Sequence, residues 1–254
     1  IPYVGSGVLG SALGMDKVVM KLLFRQAQLP VTEFLVIQEK DWPRQAGEIG
    51  SRVERELGLP CFVKPSCSGS SIGISKVKSI GDLPAAVAEA FRYDRKVLVE
   101  RAVPAREIEC GILGNDDPIA SVPGEVIPCR EFYDYRAKYL EAGSELKIPA
   151  VLEEDQAEEI RKLAVKAFQA LECSGMARVD FLLDRNTGRI LVNELNTIPG
   201  FTAISMYPKL WEASGVNRNE LLDRLLDLAL ERHRQKEEKE TRFTPDGNAG
   251  RSGR

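Results

Sequence analysis

Much of what marks the common enzyme classes is missing from this chain. There is a single histidine, His233, among 254 residues. It stands beside a run of charges, which argues against Ser-His-Asp or Cys-His nucleophilic catalysis. The five cysteines, Cys61, Cys67, Cys110, Cys129 and Cys173, are odd in number and show no C-x-x-C spacing. That speaks against a zinc site or a disulfide framework and fits reduced thiols in a cytoplasm. No apolar run approaches the ~20 residues of a membrane span. A net charge of −3 gives no reason to expect a nucleic-acid or membrane-surface partner. What is present, 43% hydrophobic and 29% charged residues, is ordinary for a soluble protein with one or two cores.

The ends read differently from the middle. Residue 1 is Ile, and "IPYVGSGVLGS" has neither the basic segment nor the cleavage pattern of a secretory signal. The chain is expected to start inside a longer protein. The last stretch, "EKETRFTPDGNAGRSGR", is polar and charged and is expected to be a disordered tail.

Between the ends, periodicity predicts alternating helices and strands. Asp16 is placed to cap the helix "KVVMKLLFRQAQ", which Pro30 closes. Strands are predicted at 33–37, 61–65, 74–77 and 96–100, with helices over about 44–57 and 82–92. Ile49, Val53 and Leu57 would face inward. After Val103-Pro104 come strands at 106–113 and 121–128, then an irregular polar-aromatic stretch, 130–150, of the kind that often forms a functional loop. An amphipathic helix over about 153–172 ends at Cys173-Ser174-Gly175. A hairpin and a final helix, capped by Asn219, complete the pattern. This is a mixed α/β chain.

The hairpin, "ARVDFLLDRNTGRILVNELN", carries the strongest chemical signal. Arg178, Asp180, Glu194 and Asn196 sit in an otherwise core-like pair of strands. A three-residue turn with Gly188 in the left-handed position places 185 opposite 189. Asp180 then lies opposite Glu194 and Arg178 opposite Asn196, all on one face. Facing carboxylates repel unless a cation lies between them, and such oxygen ligands suit Mg²⁺. The alternative is a salt-bridged outer face.

Other segments are weaker alone. In "VKPSCSGSSIGISKV" a lysine ends a strand and meets a Ser/Gly loop, where backbone N–H groups can approach phosphate oxygens. It lacks the G-x-x-x-x-G-K-[S/T] pattern, and a plain surface hairpin loop is the alternative. Glu100 and Glu107 flank a strand connection and would ordinarily face solvent. "YDYRAKY" puts Tyr133, Tyr135, Lys138 and Tyr139 in the irregular stretch, where the tyrosines pack the loop or the lysine reaches a phosphoryl group. In "NELNTIPGFTAISMYP", Thr202 and Ser205 are candidates to cap a helix whose N-terminus suits a carboxylate. Simple capping is the alternative, more so for Thr202.

Taken in order, "GSGVLGSALGMDK", "KPSCSGSSIG", "VLVE…REIE", "YDYRAKY", "ARVDF" and "NTIPGFTAISMYP" resemble the ATP-grasp fold. Within it they are similar to the D-alanine–D-alanine ligase family, from Ile1 to about Gln235. The resemblance implies an α/β (α+β) fold of two lobes with nucleotide between them. It implies ATP-dependent joining of two D-alanines through an acyl phosphate, for peptidoglycan precursors, in the cytoplasm. Lys17, Lys64 and Lys138 would meet phosphates, with Ser70 and Ser71 of the loop also on the nucleotide. Glu100 would lie near adenine and Glu107 at the ribose. Asp180, Glu194 and Asn196 would hold two Mg²⁺ or Mn²⁺ ions. Arg178 and the Gly200 N–H would stabilise the oxyanion, and Ser205 would bind the second D-alanine's carboxylate. Ser70 and Tyr139 would pair to close the lid, and the Lys138-Tyr139 pair implies D-alanine rather than D-lactate or D-serine as second substrate.

The same resemblance divides the chain into a remnant, 1–5, of a missing N-terminal domain, a central domain, 6–100, a catalytic domain, 101–235, and the tail, 236–254. The missing domain would supply a glutamate to the Ser70–Tyr139 network, so the chain alone is expected to bind ATP and to ligate poorly. Family members are usually homodimers. Another ATP-grasp carboxylate–amine ligase and a non-catalytic nucleotide-binding fragment are the competing readings.

Overall fold

The computed structural model describes residues 1–127 and 145–239. It opens with two helices in succession, α1 (Val8–Met15) and α2 (Lys17–Gln26), hinged at Asp16. The Asp16 side chain accepts from the Val18 and Val19 amides, as its position predicts. No periodicity announces α1, because "VLGSALGM" contains two glycines, poor helix formers in isolation. Packing explains one of them. A Cβ on Gly10 would lie 2.7 Å from the Glu172 carbonyl oxygen.

Four strands build the first sheet: β1 (Phe34–Gln38), β2 (Cys61–Pro65), β3 (Ser75–Val77) and β4 (Lys96–Arg101). Their order is β1-β4-β2-β3, antiparallel throughout. Helix α3 (Trp42–Arg52), prolonged by a wider turn over Val53–Leu57, and α4 (Leu83–Phe91) cover one face. There Ile49, Val53, Leu57 and Val87 pack on Leu35, Ile37, Val63, Val97 and Val99. The strand alternation sends Phe34, Lys64, Leu98 and Glu100 to the opposite face.

The second sheet joins β5 (Ala105–Gly114), β7 (Gly124–Ile127), β8 (Glu145–Lys147), β9 (Gly175–Asp184) and β10 (Ile190–Asn196), in the order β10-β9-β5-β7-β8. The short β6 (Ile119–Ala120) pairs with β5. Helix α5 (Glu154–Ala170) lays Ile160, Ala164, Ala167 and Phe168 against Ile108, Val179, Phe181 and Val192. Helices α6 (Met206–Ala213) and α7 (Arg218–Glu237) close a further cluster, with Tyr207, Trp211, Leu221 and Leu225 around Leu113 and Met176.

Helix α2 joins the two halves. Val18 packs with Phe34 and Leu98 of the first sheet, while Met20 and Phe24 enter the core of the second. Helix α2, within residues 6–100, thus contributes to both cores.

Three local expectations are corrected. The final helix is capped by Asn217, whose side chain accepts from the Asn219 and Glu220 amides, each at 3.1 Å; Asn219 lies inside the helix. The cap position of α6 belongs to Ser205, not Thr202, but the Ser205 hydroxyl is engaged with Thr202 and makes no capping bond. The hairpin turn is one residue longer than predicted: the Asp184 amide bonds the Arg189 carbonyl, and Val192 faces Phe181. A bulge at Asn193 then restores the expected pairs, Glu194 opposite Asp180 and Asn196 opposite Arg178. The bulge also explains why Val192 points into the core and Glu194, two residues on, points out of it.

Candidate functional site

Two groups of charges lie on either side of the N-terminal half of α2. The first is on the second sheet. Across β10, β9 and β5 the register sets Glu194, Asp180 and Glu109 in one row and Asn196, Arg178 and Gly111 in the next. The Arg178 guanidinium chelates Asp180, Nε to Oδ1 at 2.6 Å and Nη2 to Oδ2 at 2.7 Å, and its Nε lies 3.0 Å from Glu109. Burial disfavours the charge on Arg178, but Asp180 and Glu109 outweigh it and hold its pKa far above the ordinary arginine value. Asn196 donates its side-chain amide to Asp180 Oδ2 at 3.1 Å. Lys17, the first residue of α2, reaches over to Glu194 at 3.3 Å. The face of the hairpin that carries these charges is therefore salt-bridged and only half-buried.

The second group is on the first sheet. Glu100 does not face solvent, as a glutamate there ordinarily would; it is 2% exposed. Lys21 from α2 approaches Oε1 at 2.5 Å and Lys64 from β2 approaches Oε2 at 2.6 Å, while the Thr32 hydroxyl donates to Oε1. Burial alone would raise the Glu100 pKa; the two ammonium groups overcome it and hold the carboxyl well below the usual range. For Lys21 burial wins and its pKa falls; for Lys64 burial also opposes the charge, but Glu100 carries the pKa above the ordinary value. Both lysines feel Glu194, which ties the second group to the first; Lys21 differs in also feeling the repulsion of Lys64, and Lys64 in also feeling Glu107.

The Ser/Gly loop between β2 and β3 bends over the start of α2. Ser70 and Ser71 have φ of 52° and 58°, left-handed values that cost non-glycine residues on the order of 1 kcal/mol each. The Lys17 amide bonds the Ser66 carbonyl at 3.0 Å and the Lys17 ammonium bonds the Ser68 carbonyl at 2.6 Å. Asp16 does more than cap: Ser66 donates to it at 2.5 Å and Lys96 is ion-paired with it. Lys96 and these hydrogen bonds outweigh burial and hold the Asp16 pKa below the ordinary aspartate value.

The remaining predicted residues are dispersed around these groups. Glu107 is exposed on β5, opposite Leu182 and Val126. Gly200 closely abuts Ser205; a Cβ there would lie 2.8 Å from the Ser205 hydroxyl oxygen. Lys138 and Tyr139, and with them the Ser70–Tyr139 contact, lie outside the described residues, as do Tyr133, Tyr135 and Cys129.

Lys21, Thr32 and Glu109 were not singled out from the sequence. Glu109 was accessible: it alternates with Glu107 and so shares its face of β5. Lys21 carried only a faint sign, one helical turn after Lys17. Asp180, Glu194 and Asn196 are oxygen donors brought side by side, which fits a hard divalent cation. Among the described residues, no three His, Cys, Asp or Glu side chains form a cage by themselves, so such an ion would depend on the Asn196 oxygen or on a ligand's oxygens. No described helix is long and apolar enough to cross a membrane.

Comparison with known proteins agrees with this geometry. Residues 23–227 match the family model described as D-ala D-ala ligase C-terminus. The chain is 55% identical over 237 residues to the D-alanine–D-alanine ligase of Geobacillus kaustophilus, covering 93% of this chain and 64% of that protein. It is 52% identical over 245 residues to the ligase of the same name from Heliobacterium modesticaldum, covering 96% and 67%. The solved D-alanine-D-alanine ligase of Coxiella burnetii superposes with a TM-score of 0.81 at 40% identity, over 93% of this chain and 62% of that one. The VanG D-Ala:D-Ser ligase of Enterococcus faecalis gives 0.81 at 36% identity, over 90% and 65%. The chain spans about two thirds of the length of the curated relatives it matches. The two-sheet architecture is the ATP-grasp fold of these ligases, and the chain belongs to the D-ala D-ala ligase C-terminus family.

Proposed function

We propose that these residues form the nucleotide and catalytic lobes of an ATP-dependent D-alanine–D-alanine ligase. The observation that carries the reading is the convergence of Lys17 and Lys64 with the Arg178, Asp180, Glu194 and Asn196 face of the hairpin. Phosphoryl transfer needs chiefly positioning and charge neutralisation, and acyl transfer needs donors where an oxyanion develops.

In this reading Lys17 and Lys64 hold the nucleotide phosphates beneath the Ser70-Ser71 loop, with Lys138 contributing at the γ-phosphate. Glu100 lies near adenine and Glu107 takes the ribose. Asp180, Glu194 and Asn196 would hold divalent cations, two Mg²⁺ or Mn²⁺. When bound, such ions neutralise phosphate charge during transfer. The carboxylate of one D-alanine attacks the γ-phosphorus, giving an acyl phosphate and ADP. The amine of a second D-alanine, its carboxylate held by Ser205, attacks the acyl carbon. Arg178 and the Gly200 N–H donate to the oxyanion; inorganic phosphate leaves and the amine loses a proton. The product is D-alanyl-D-alanine, a peptidoglycan precursor.

D-Alanine as second substrate, a cytoplasmic setting and a homodimer belong to the same proposal, as does the division into lobes of residues 6–100 and 101–235. Because the chain spans about two thirds of its relatives, full turnover is proposed only for the chain together with the remaining third. The test is phosphate release from ATP and Mg²⁺, with and without D-alanine, beside calorimetric nucleotide binding. Binding with little D-alanine-dependent release is expected of these 254 residues. Absence of nucleotide binding by the folded chain would sink the reading. In the completed enzyme, ester formation with D-lactate as fast as amide formation with D-alanine would refute the second-substrate assignment.

A further inference from the structure

Glu100 is a single carboxylate with an ammonium on each oxygen, Lys21 at 2.5 Å and Lys64 at 2.6 Å. The two lysines are not equivalent. Lys21 is 2% exposed and rises from a helix pinned by Met20 and Phe24 in the second core. Its ammonium also lies 3.4 Å from the Thr32 hydroxyl, which itself donates to Glu100. Lys64 is 15% exposed, sits one residue before the end of β2, and feels Glu107 in addition to Glu194, which acts on both lysines. The closed triangle of Lys21, Thr32 and Glu100 has nowhere to go; Lys64 faces the site.

A buried carboxylate stripped of its partner is strongly unfavourable. If Lys64 were the sole counter-charge, every move of its ammonium toward an anionic ligand would leave Glu100 bare. Two positive charges against one negative leave the group with one surplus positive charge, available to a phosphate without breaking the inner pair.

We propose that Lys21 is a positioning residue of the nucleotide site: it stays on Glu100 and thereby frees Lys64 to engage the phosphates of a nucleoside triphosphate. The inference rests on the nucleotide-binding reading above. It assigns Lys21 no contact with the ligand; its action passes through Glu100 and Lys64.

The test is calorimetric binding of ADP with Mg²⁺ to the full chain, comparing wild type, Lys21→Met, Glu100→Gln and the double variant. Methionine keeps the apolar stem and removes the charge; glutamine keeps the shape of residue 100 and removes its need for a counter-charge. Lys21→Met should weaken binding about tenfold or more in the wild-type background and by no more than about threefold in the Glu100→Gln background, whatever Glu100→Gln costs by itself. A packing role for Lys21 would cost the same in both backgrounds. Wild-type affinity in Lys21→Met, or an equal loss in the two backgrounds, overturns the proposal. Should Lys21→Met fail to fold, a structure of the wild-type chain with ADP decides. Lys64 on phosphate with Lys21 still on Glu100 supports the inference; Lys64 still on Glu100, or Lys21 displaced, refutes it. Absence of ADP binding by folded wild type removes the nucleotide reading and this inference with it.

Discussion

The Glu100 group and the Asp180 group are built from the same materials, carboxylates held by long basic side chains, yet they differ in one respect. Glu100 and Lys21 are each 2% exposed, whereas Arg178 and Asp180 are 15% exposed and Glu194 is 27% exposed. Inside the fold a charge has only the partners the chain provides. At the site edge water, ions or a ligand can replace them. The sealed Glu100–Lys21 pair therefore acts as structure and as a fixed source of charge, while Lys64, 15% exposed, stays open to the site. The open one can exchange partners, which a site for phosphates and cations requires.

Truncation should separate the two most sharply. Glu100→Ala would leave two ammonium groups facing each other and should cost about 3–5 kcal/mol in urea unfolding. Asp180→Ala should cost only about 1–2 kcal/mol, because Glu109 remains on Arg178 and water enters. The ligand response should reverse: Asp180→Asn should abolish most of the Mg²⁺ enhancement of ADP binding. Equal costs of unfolding for the two alanine variants would end the distinction.

Acid should draw the same line more gently. The Glu100 pKa is depressed in the folded protein. Its contribution is complete above the unfolded glutamate value of about 4.3 and is lost as pH falls through the lower folded value. Wild type should lose stability below about pH 4 more steeply than Glu100→Gln. On the alkaline side Lys21 and Lys64 shift in opposite directions and oppose each other, so the contrast belongs to acid.

Smaller effects refine the scale. Glu109→Gln leaves Arg178 chelated by Asp180 and should lower stability by about 1 kcal/mol or less, measured by thermal unfolding. Arg224→Ala removes an exposed pair with Glu220 one helical turn away and should change stability by at most about 0.5 kcal/mol. A larger loss there would mean that exposure is a poor guide to what these pairs contribute.

Most strands and longer helices were legible because each buries one face, and a buried face imposes a period on its residues. Asp16 as a cap and Ile49, Val53 and Leu57 as an inward face followed from that logic and are observed. Helix α1 escaped it, since its Gly10 answers to the backbone of Glu172, far along the chain. The facing pairs of the hairpin were anticipated through a turn of the wrong length, and the Asn193 bulge supplied the missing residue. In hindsight the slip was written in the strand: Ile190, Val192 and Leu195 are all buried, which strict alternation forbids. The sealing of Glu100 was not legible, because the glutamate, Lys21 and Thr32 come from separate segments and only packing turns them toward one point.

By itself the sequence determined the elements, the order of the motifs and the residue types at the hairpin, since these depend on neighbours along the chain and on alternation within it. Tertiary structure decided which charges are shut in and which stay open. That choice depends on how α2 is wedged between two sheets, with Val18 and Lys21 toward one and Met20 and Phe24 toward the other. Burial is a property of the whole packed chain, and it is burial that makes one carboxylate a fixed counter-ion and leaves another free to change partners.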